Sequence, residues 1–290
     1  MIAFVFPGQG SQKVGMGQGL FDEIGEYAAV EREVDAILGY SMRQLCLEDA
    51  DDKLKDTQYT QPSLYVVNAL HYYKALAGGA RPNYLAGHSL GEYNALLAAG
   101  VFDFLTGLKL VQKRGELMAR ASNGGMAAVI GLDDAAIRDA LGSAGLSGID
   151  IANFNSPSQI VISGPVDEIK QATAPLEAAG ARKVMPLAVS AAFHSRYMAD
   201  AAEEFAKFLA PIQFAAPEIP VIANITAEPY PAADGSEAIK SALVRQITHS
   251  VQWTQTIRYL LNQGVTEFAE IGPGKVLARL VQQIQQDASR

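Results

Sequence analysis

The apolar run Tyr84-Leu85-Ala86 leads directly into Gly87-His88-Ser89-Leu90-Gly91, and an amphipathic stretch follows. This order constrains the chain more than any other feature. A buried strand has to become a helix within a few residues, and G-x-S-x-G places glycine on both sides of the turn, where a side chain would collide. Such a turn lifts the Ser89 hydroxyl to the top of a sheet. It also sets that hydroxyl beside a helix N-terminus, whose partial positive charge suits an oxyanion. By itself the pentapeptide also describes an ordinary strand-to-helix turn with a surface serine. The flanking strand and helix are what favour a nucleophile.

The remaining chain alternates short apolar runs with longer amphipathic stretches, which predicts α/β layers around a mostly parallel sheet. Ile2–Phe6 is expected to be the first strand, followed by the tight loop Gly8-Gln9-Gly10-Ser11-Gln12. Helices are expected over 21–38, 63–77, 91–99, 102–121 and 275–286, and later strands over 219–225 and 266–271. Between them the order changes. A strand over 126–131, a helix over 133–144, strands over 149–154 and 159–163, a helix over 166–179 and a strand over 182–187 give β-α-β-β-α-β, the ferredoxin-like arrangement. The expected fold is therefore α/β: a large α/β-hydrolase-like body formed by 1–123 and 188–290, with a ferredoxin-like subdomain, 124–187, inserted into it.

Composition narrows the function. A length of 290 residues with 49% apolar and 19% charged residues allows a sizeable core in one large or two modest domains. A formal net charge of −8 and the lack of a basic stripe argue against a nucleic-acid binder. The single cysteine, Cys46, permits neither an intrachain disulfide nor a multi-cysteine zinc site. The apolar start is broken by Pro7 and Gly8 and lacks a basic leader, so it reads as a strand rather than a signal peptide. No apolar run is long enough to span a membrane. The cytoplasm is the expected compartment and a monomer the expected state.

Serine is a poor nucleophile without a base. The chain has four histidines: His71, His88, His194 and His249. His88 adjoins Ser89 and should point away across the turn, and His71 lies inside a helical stretch. His194, in Val189-Ser190-Ala191-Ala192-Phe193-His194-Ser195, sits in a small-residue loop suited to presenting a base. His249 is also in a polar loop, and spacing alone leaves both open. No Asp or Glu stands out as the group that orients the base, and a backbone carbonyl can fill that role. Arg114 offers a planar, permanently charged fork for a carboxylate, although on a helix it also reads as a solvated surface residue. Gly8-Gln9-Gly10 and Gly272-Pro273-Gly274-Lys275 do not fit the Walker A pattern.

Several motifs occur together and in order: Phe6-Pro7-Gly8-Gln9-Gly10-Ser11-Gln12, Gly87-His88-Ser89-Leu90-Gly91-Glu92, Arg114-Gly115, Asn153 with Asn155-Ser156-Pro157, Phe193-His194-Ser195 and Gly272-Pro273-Gly274. Over essentially its whole length the chain resembles malonyl-CoA:acyl carrier protein transacylases and the acyltransferase domains of polyketide synthases. The resemblance implies a two-subdomain fold. It implies Ser89 as nucleophile and His194 as base, the latter oriented by the backbone carbonyl of Gln246. It implies an oxyanion hole from the N–H groups of Gln9 and Leu90, and Arg114 as the grip on a free carboxylate. Phe193 resembles the Ala-Phe-His-Ser form of malonyl-selective enzymes. Met118, one turn beyond Arg114, is expected to line the same pocket, with a plain core methionine as the alternative.

The implied partners are malonyl-CoA and an acyl carrier protein, with no resident cofactor or metal. The residues after the serine, Glu92 to Phe104, look closest to discrete acyltransferases serving a polyketide synthase assembly in trans; fatty acid synthesis is the alternative setting. An acyl hydrolase clearing stalled carriers and a catalytically silent docking module are the rival functions. Since carrier proteins are usually acidic, a local basic patch near the cleft is expected to offset the net negative charge.

Overall fold

A computed structural model of the protein describes residues 1–231 and 235–288. Eight strands are named here: β1 (Ile2–Phe6), β2 (Tyr84–Gly87), β3 (Gly124–Ile130), β4 (Asp150–Ser156), β5 (Gln159–Pro165), β6 (Lys183–Pro186), β7 (Val221–Ile222) and β8 (Glu267–Glu270). They form two four-stranded sheets. The first has the order β7-β2-β1-β8 and pairs in parallel throughout. The second has the order β4-β5-β3-β6 and pairs antiparallel.

Why β1 is apolar on nearly every residue follows from its position. A parallel strand in a sheet covered on both faces buries both of its sides. Phe4 and Phe6 point into the larger core with Leu64, Leu85 and Leu96. Ala3 and Val5 point the other way and pack with Trp253, Ile257 and Ile284. The two cores sit on opposite sheet faces, as the period of two requires.

The second sheet is also sided. Ala127, Val129, Ile160 and Ile162 pack under the helices Asp134–Ser143 and Thr173–Ala178. Met126, Ala128, Ala152 and Val161 face the other way and join the larger core. A backbone tie holds β4 to the body: Phe154 N–H donates to the Val251 carbonyl and Val251 N–H to that of Ala152, both at 2.9 Å. The small sheet is thereby placed against the C-terminal end of β2, where Ser89 sits. No helix among the described residues is long and apolar enough to cross a membrane.

The α/β class and the β-α-β-β-α-β order agree with the sequence reading, but several elements differ. The single helix expected over 21–38 is three short ones, Leu20–Glu23, Gly25–Ala28 and Glu31–Leu38. Ile24 between the first two adopts an extended conformation, which breaks the ladder. The helix expected over 166–179 is split at Ala172 into Val166–Gln171 and Thr173–Ala178. Pro175 explains the break, because it has no N–H for the carbonyl four residues back. The strand expected over 219–225 keeps only Val221–Ile222: Pro220 cannot donate to a ladder, and past Ile222 the chain turns, with the Ala227 N–H donating to the Ala223 carbonyl at 2.9 Å. The helix expected from 63 starts at Thr57, two turns earlier. Helices Ala199–Leu209, Gly235–Gln246 and Trp253–Asn262 had no individual prediction.

Candidate active site

The turn after β2 is as tight as its glycines suggest. A Cβ on Gly87 would lie 1.9 Å from the Gly91 carbonyl carbon, and one on Gly91 would lie 2.0 Å from the Phe6 carbonyl oxygen. Ser89 between them has a φ of 50°, a left-handed conformation that a non-glycine residue adopts only under constraint. Asn224 supplies that constraint. Its Oδ1 accepts the Ser89 N–H at 2.7 Å, and its Nδ2 donates to the Gly87 carbonyl at 2.6 Å. His88 turns beneath the elbow, with Nε2 2.8 Å from Asn155 Oδ1 on β4, and its ring lies 5.5 Å from that of Trp253.

Ser89 Oγ lies 2.8 Å from His194 Nε2. The other ring nitrogen, Nδ1, lies 2.7 Å from the backbone carbonyl oxygen of Gln246. A carbonyl only accepts, so the proton is on Nδ1 and Nε2 is free to accept the Ser89 hydroxyl proton. Gln246 ends the Gly235–Gln246 helix, where carbonyls lack intrahelical donors. The negative end of that helix favours an imidazolium once it forms. The imidazole is held neutral. Burial, then the nearby Arg114 charge, push its pKa down to about 3, against the opposing pull of the Gln246 carbonyl.

Arg114 is not a surface residue. It is 1% exposed, beneath the serine, with its guanidinium carbon 5.6 Å from the Tyr93 ring centre. Nη1 donates to Gln61 Oε1 at 2.8 Å, and Nη2 donates to Gln246 Oε1 at 2.8 Å and Ser89 Oγ at 3.1 Å. All three acceptors are neutral. A buried cation whose hydrogen bonds among the described residues go to neutral groups is poised for a further, anionic partner.

Opposite the arginine, Gly8 packs so closely on the turn that its Cβ would fall 2.4 Å from the His88 carbonyl oxygen. This brings the Gln9 loop alongside Leu90. Among the described residues, neither the Gln9 N–H nor the Leu90 N–H donates to a protein acceptor. The Gln9 side chain is occupied separately, donating to Thr57 Oγ1 at 3.2 Å. The cavity they share has a volume of about 90 Å³ and is lined by Ser89, His194, Arg114, Met118, Met126 and Phe193 among others. Met118 is buried there, with its sulfur 3.5 Å from Gln61 Nε2.

This arrangement has a serine hydroxyl bonded to a neutral imidazole, two backbone N–H groups beside the serine and a buried cation. It can carry acyl transfer through a covalent ester. Residues 3–290 match the acyl transferase domain family. The chain belongs to this family. It is 54% identical over 290 residues to the polyketide biosynthesis malonyl CoA-acyl carrier protein transacylase PksC of Bacillus subtilis, covering 99% of this chain and 98% of that one. It is 43% identical to the malonyl CoA-acyl carrier protein transacylase of Escherichia coli, covering 97% and 92%. The crystal structure of the malonyl CoA-acyl carrier protein transacylase from Burkholderia pseudomallei superposes with a TM-score of 0.92 at 48% identity, covering 99% and 98%.

In this acyl transferase the structure gathers Ser89, His194, Gln9, Leu90, Gln246, Arg114, Phe193 and Met118 around one cavity or its direct support. His249, the other base that spacing allows, is exposed, with Nδ1 2.8 Å from the Arg245 carbonyl. Sequence reasoning missed four residues: Gln61, Asn224, Tyr230 and the buried role of Glu92. Gln61 and Asn224 belong to no local pattern, and only the fold brings the first to Arg114 and the second to Ser89. Glu92 was visible in Gly87-His88-Ser89-Leu90-Gly91-Glu92, but its burial was not.

Proposed function

We propose that the protein transfers a malonyl group from malonyl-CoA to the phosphopantetheine thiol of an acyl carrier protein through an ester on Ser89. The observation that carries this is the contact between Arg114 and Ser89 Oγ at 3.1 Å. It supports a role for Arg114 as the cation that binds a carboxylate next to the atom that reacts.

Ser89 Oγ attacks the thioester carbonyl as its proton passes to His194 Nε2. The tetrahedral oxyanion is received by the N–H groups of Gln9 and Leu90. Collapse breaks the carbon–sulfur bond, and His194 returns the proton to the departing CoA thiolate. The malonyl carboxylate meanwhile lies on Arg114, a charge-assisted pairing that an acetyl group cannot make. The phosphopantetheine thiol then gives its proton to His194 and attacks the ester, and collapse breaks the carbon–oxygen bond to Ser89 Oγ, which takes that proton back from His194. The protein supplies every proton transfer, and CoA and phosphopantetheine enter only as substrates.

The likeness to PksC supports a polyketide setting in which the enzyme serves a synthase in trans. The order of the two sheets supports a division into a catalytic body, 1–123 and 188–290, and a small subdomain, 124–187. Met126, Asn153 and Leu187 line the cavity, so the small subdomain forms one of its walls.

The test is to isolate malonyl-Ser89 enzyme and divide it between buffer and buffer with holo carrier protein. Transfer to the carrier within seconds, with hydrolysis at least about a hundredfold slower, supports the transferase. Loss at the same rate in both would mark an acyl hydrolase.

A further inference from the structure

Among the described residues Glu92 is the one buried carboxylate near the site, and the reaction just described does not use it. It is 1% exposed and sits three residues after the nucleophile. Its Oε1 accepts the Asn224 N–H at 2.9 Å and the Tyr230 hydroxyl at 2.8 Å, and its Oε2 accepts Gln246 Nε2. Three donors converge on it and no acceptor does, an arrangement that suits a carboxylate.

The consequence lies in Gln246. Its amide nitrogen donates to Glu92 and also to the Ser89 carbonyl at 2.9 Å. An amide nitrogen has two hydrogens, and both are spent on acceptors along one edge. The amide oxygen is therefore forced to the opposite edge, where it accepts Arg114 Nη2 at 2.8 Å. The second hydrogen of Nη2 reaches Ser89 Oγ. Glu92 and the Ser89 carbonyl can only accept and the Arg114 guanidinium can only donate, so the Gln246 amide is held in one direction from both of its ends.

We propose that Glu92 is a positioning residue for substrate selection: it fixes the direction of the Gln246 amide and thereby aims the Arg114 fork at a substrate carboxylate. It acts on the carboxylate grip and not on the base. His194 is held by the Gln246 main-chain carbonyl, which does not depend on which way the side-chain amide faces. The two residues also compensate one another's charge across the amide. Burial raises the pKa of Glu92, to about 7, and lowers that of Arg114, and the charge of each opposes that shift in the other.

Glu92→Gln tests this with little change in shape. An amide oxygen at position 92 can still accept from Asn224 and Tyr230. Its nitrogen would meet Gln246 Nε2, donor against donor, and the relief is to turn the Gln246 amide over. That presents its nitrogen to Arg114, which has no acceptor. The proposal rests on malonyl transfer as the reaction, so the wild type is run alongside. Acylation of Ser89 by malonyl-CoA and by acetyl-CoA is followed by intact mass, and labelling by a carboxylate-free fluorophosphonate reports the Ser89–His194 pair.

The expected result for Glu92→Gln is a malonyl-to-acetyl preference reduced about tenfold or more, the effect of losing a charged hydrogen bond, with KM for malonyl-CoA raised. Fluorophosphonate labelling stays within about threefold of wild type, because the main-chain bond that orients His194 is retained. Glu92→Asp keeps the charge but pulls it away from Gln246, and should lower the preference in the same direction should the glutamine variant not fold. A folded variant whose preference stays within about twofold of wild type, or one in which malonyl and fluorophosphonate rates fall together, would overturn the proposal. A wild type that forms no malonyl adduct would instead fail the reading of the reaction itself.

Discussion

Nδ1 of His194 donates to the main-chain carbonyl of Gln246 at 2.7 Å, so the base is oriented by a helix end and not by a carboxylate. Its charged form is left without an anionic partner, and burial and Arg114 hold the imidazole neutral, with a pKa pushed down to about 3. Above that value the base form prevails. Labelling of Ser89 by a neutral, carboxylate-free reagent should therefore hold within about twofold from pH 8 to pH 5. A histidine titrating at its ordinary value of about 6.5 would lose about thirtyfold over the same range. A stopped-flow pH profile with a midpoint near the ordinary value would contradict the neutral buried base.

Arg114 stands 3.1 Å from the Ser89 hydroxyl and its acceptors are all neutral. Arg114→Ala should lower kcat/KM for malonyl-CoA by about 10²–10³, consistent with losing a buried charge-assisted pair. Acetyl-CoA, which has no carboxylate, should be affected by less than about fivefold, because the lost interaction is absent from its transition state. Arg114→Lys should rescue little, because the ammonium cannot reproduce the fork that also holds Gln61 and Gln246. Equal losses for both donors would show that the arginine supports structure alone.

Phe193 is buried in the cavity wall beside His194. Phe193→Ala should admit a branched donor. One methyl group in a pocket is worth about 1–3 kcal/mol of discrimination. The ratio of methylmalonyl to malonyl acylation should therefore rise about tenfold in a competition assay read by mass. An unchanged ratio would place the steric limit on another wall, such as Met118 or Met126.

Gly91 has no room for a methyl group, because its Cβ would sit 2.0 Å from a main-chain oxygen that cannot swing away. Gly91→Ala should cost at least about 3 kcal/mol of stability, as overpacking against fixed backbone does. Denaturant unfolding measures this directly. Gly142→Ala, at a helix position with open space around it, should change stability by less than about 1 kcal/mol.

These contrasts show why some of the molecule was legible in the sequence. Gly87, Gly91 and Ser89 lie within five residues, and the turn they form is a local steric fact. Short apolar runs bounded by turn residues likewise revealed β1 and most of the small sheet, because those strands are buried on both faces. Arg114 is different: on its helix it looks like any solvated arginine, and only tertiary packing turns it inward. Gln246 and Asn224 lie 157 and 135 positions from Ser89, and no local rule joins residues so far apart. The over-long helix expected at 21–38 came from trusting apolar spacing across Ile24, where the backbone extends.

The central claim is a covalent malonyl ester on Ser89 selected by Arg114. It is tested most directly by intact mass after brief incubation with malonyl-CoA or acetyl-CoA, using wild type, Ser89→Ala and Arg114→Ala. The expected result is a malonyl adduct on wild type, none on Ser89→Ala, and a lost preference for malonyl over acetyl on Arg114→Ala. An adduct that survives Ser89→Ala, or a wild type that forms none, would contradict it.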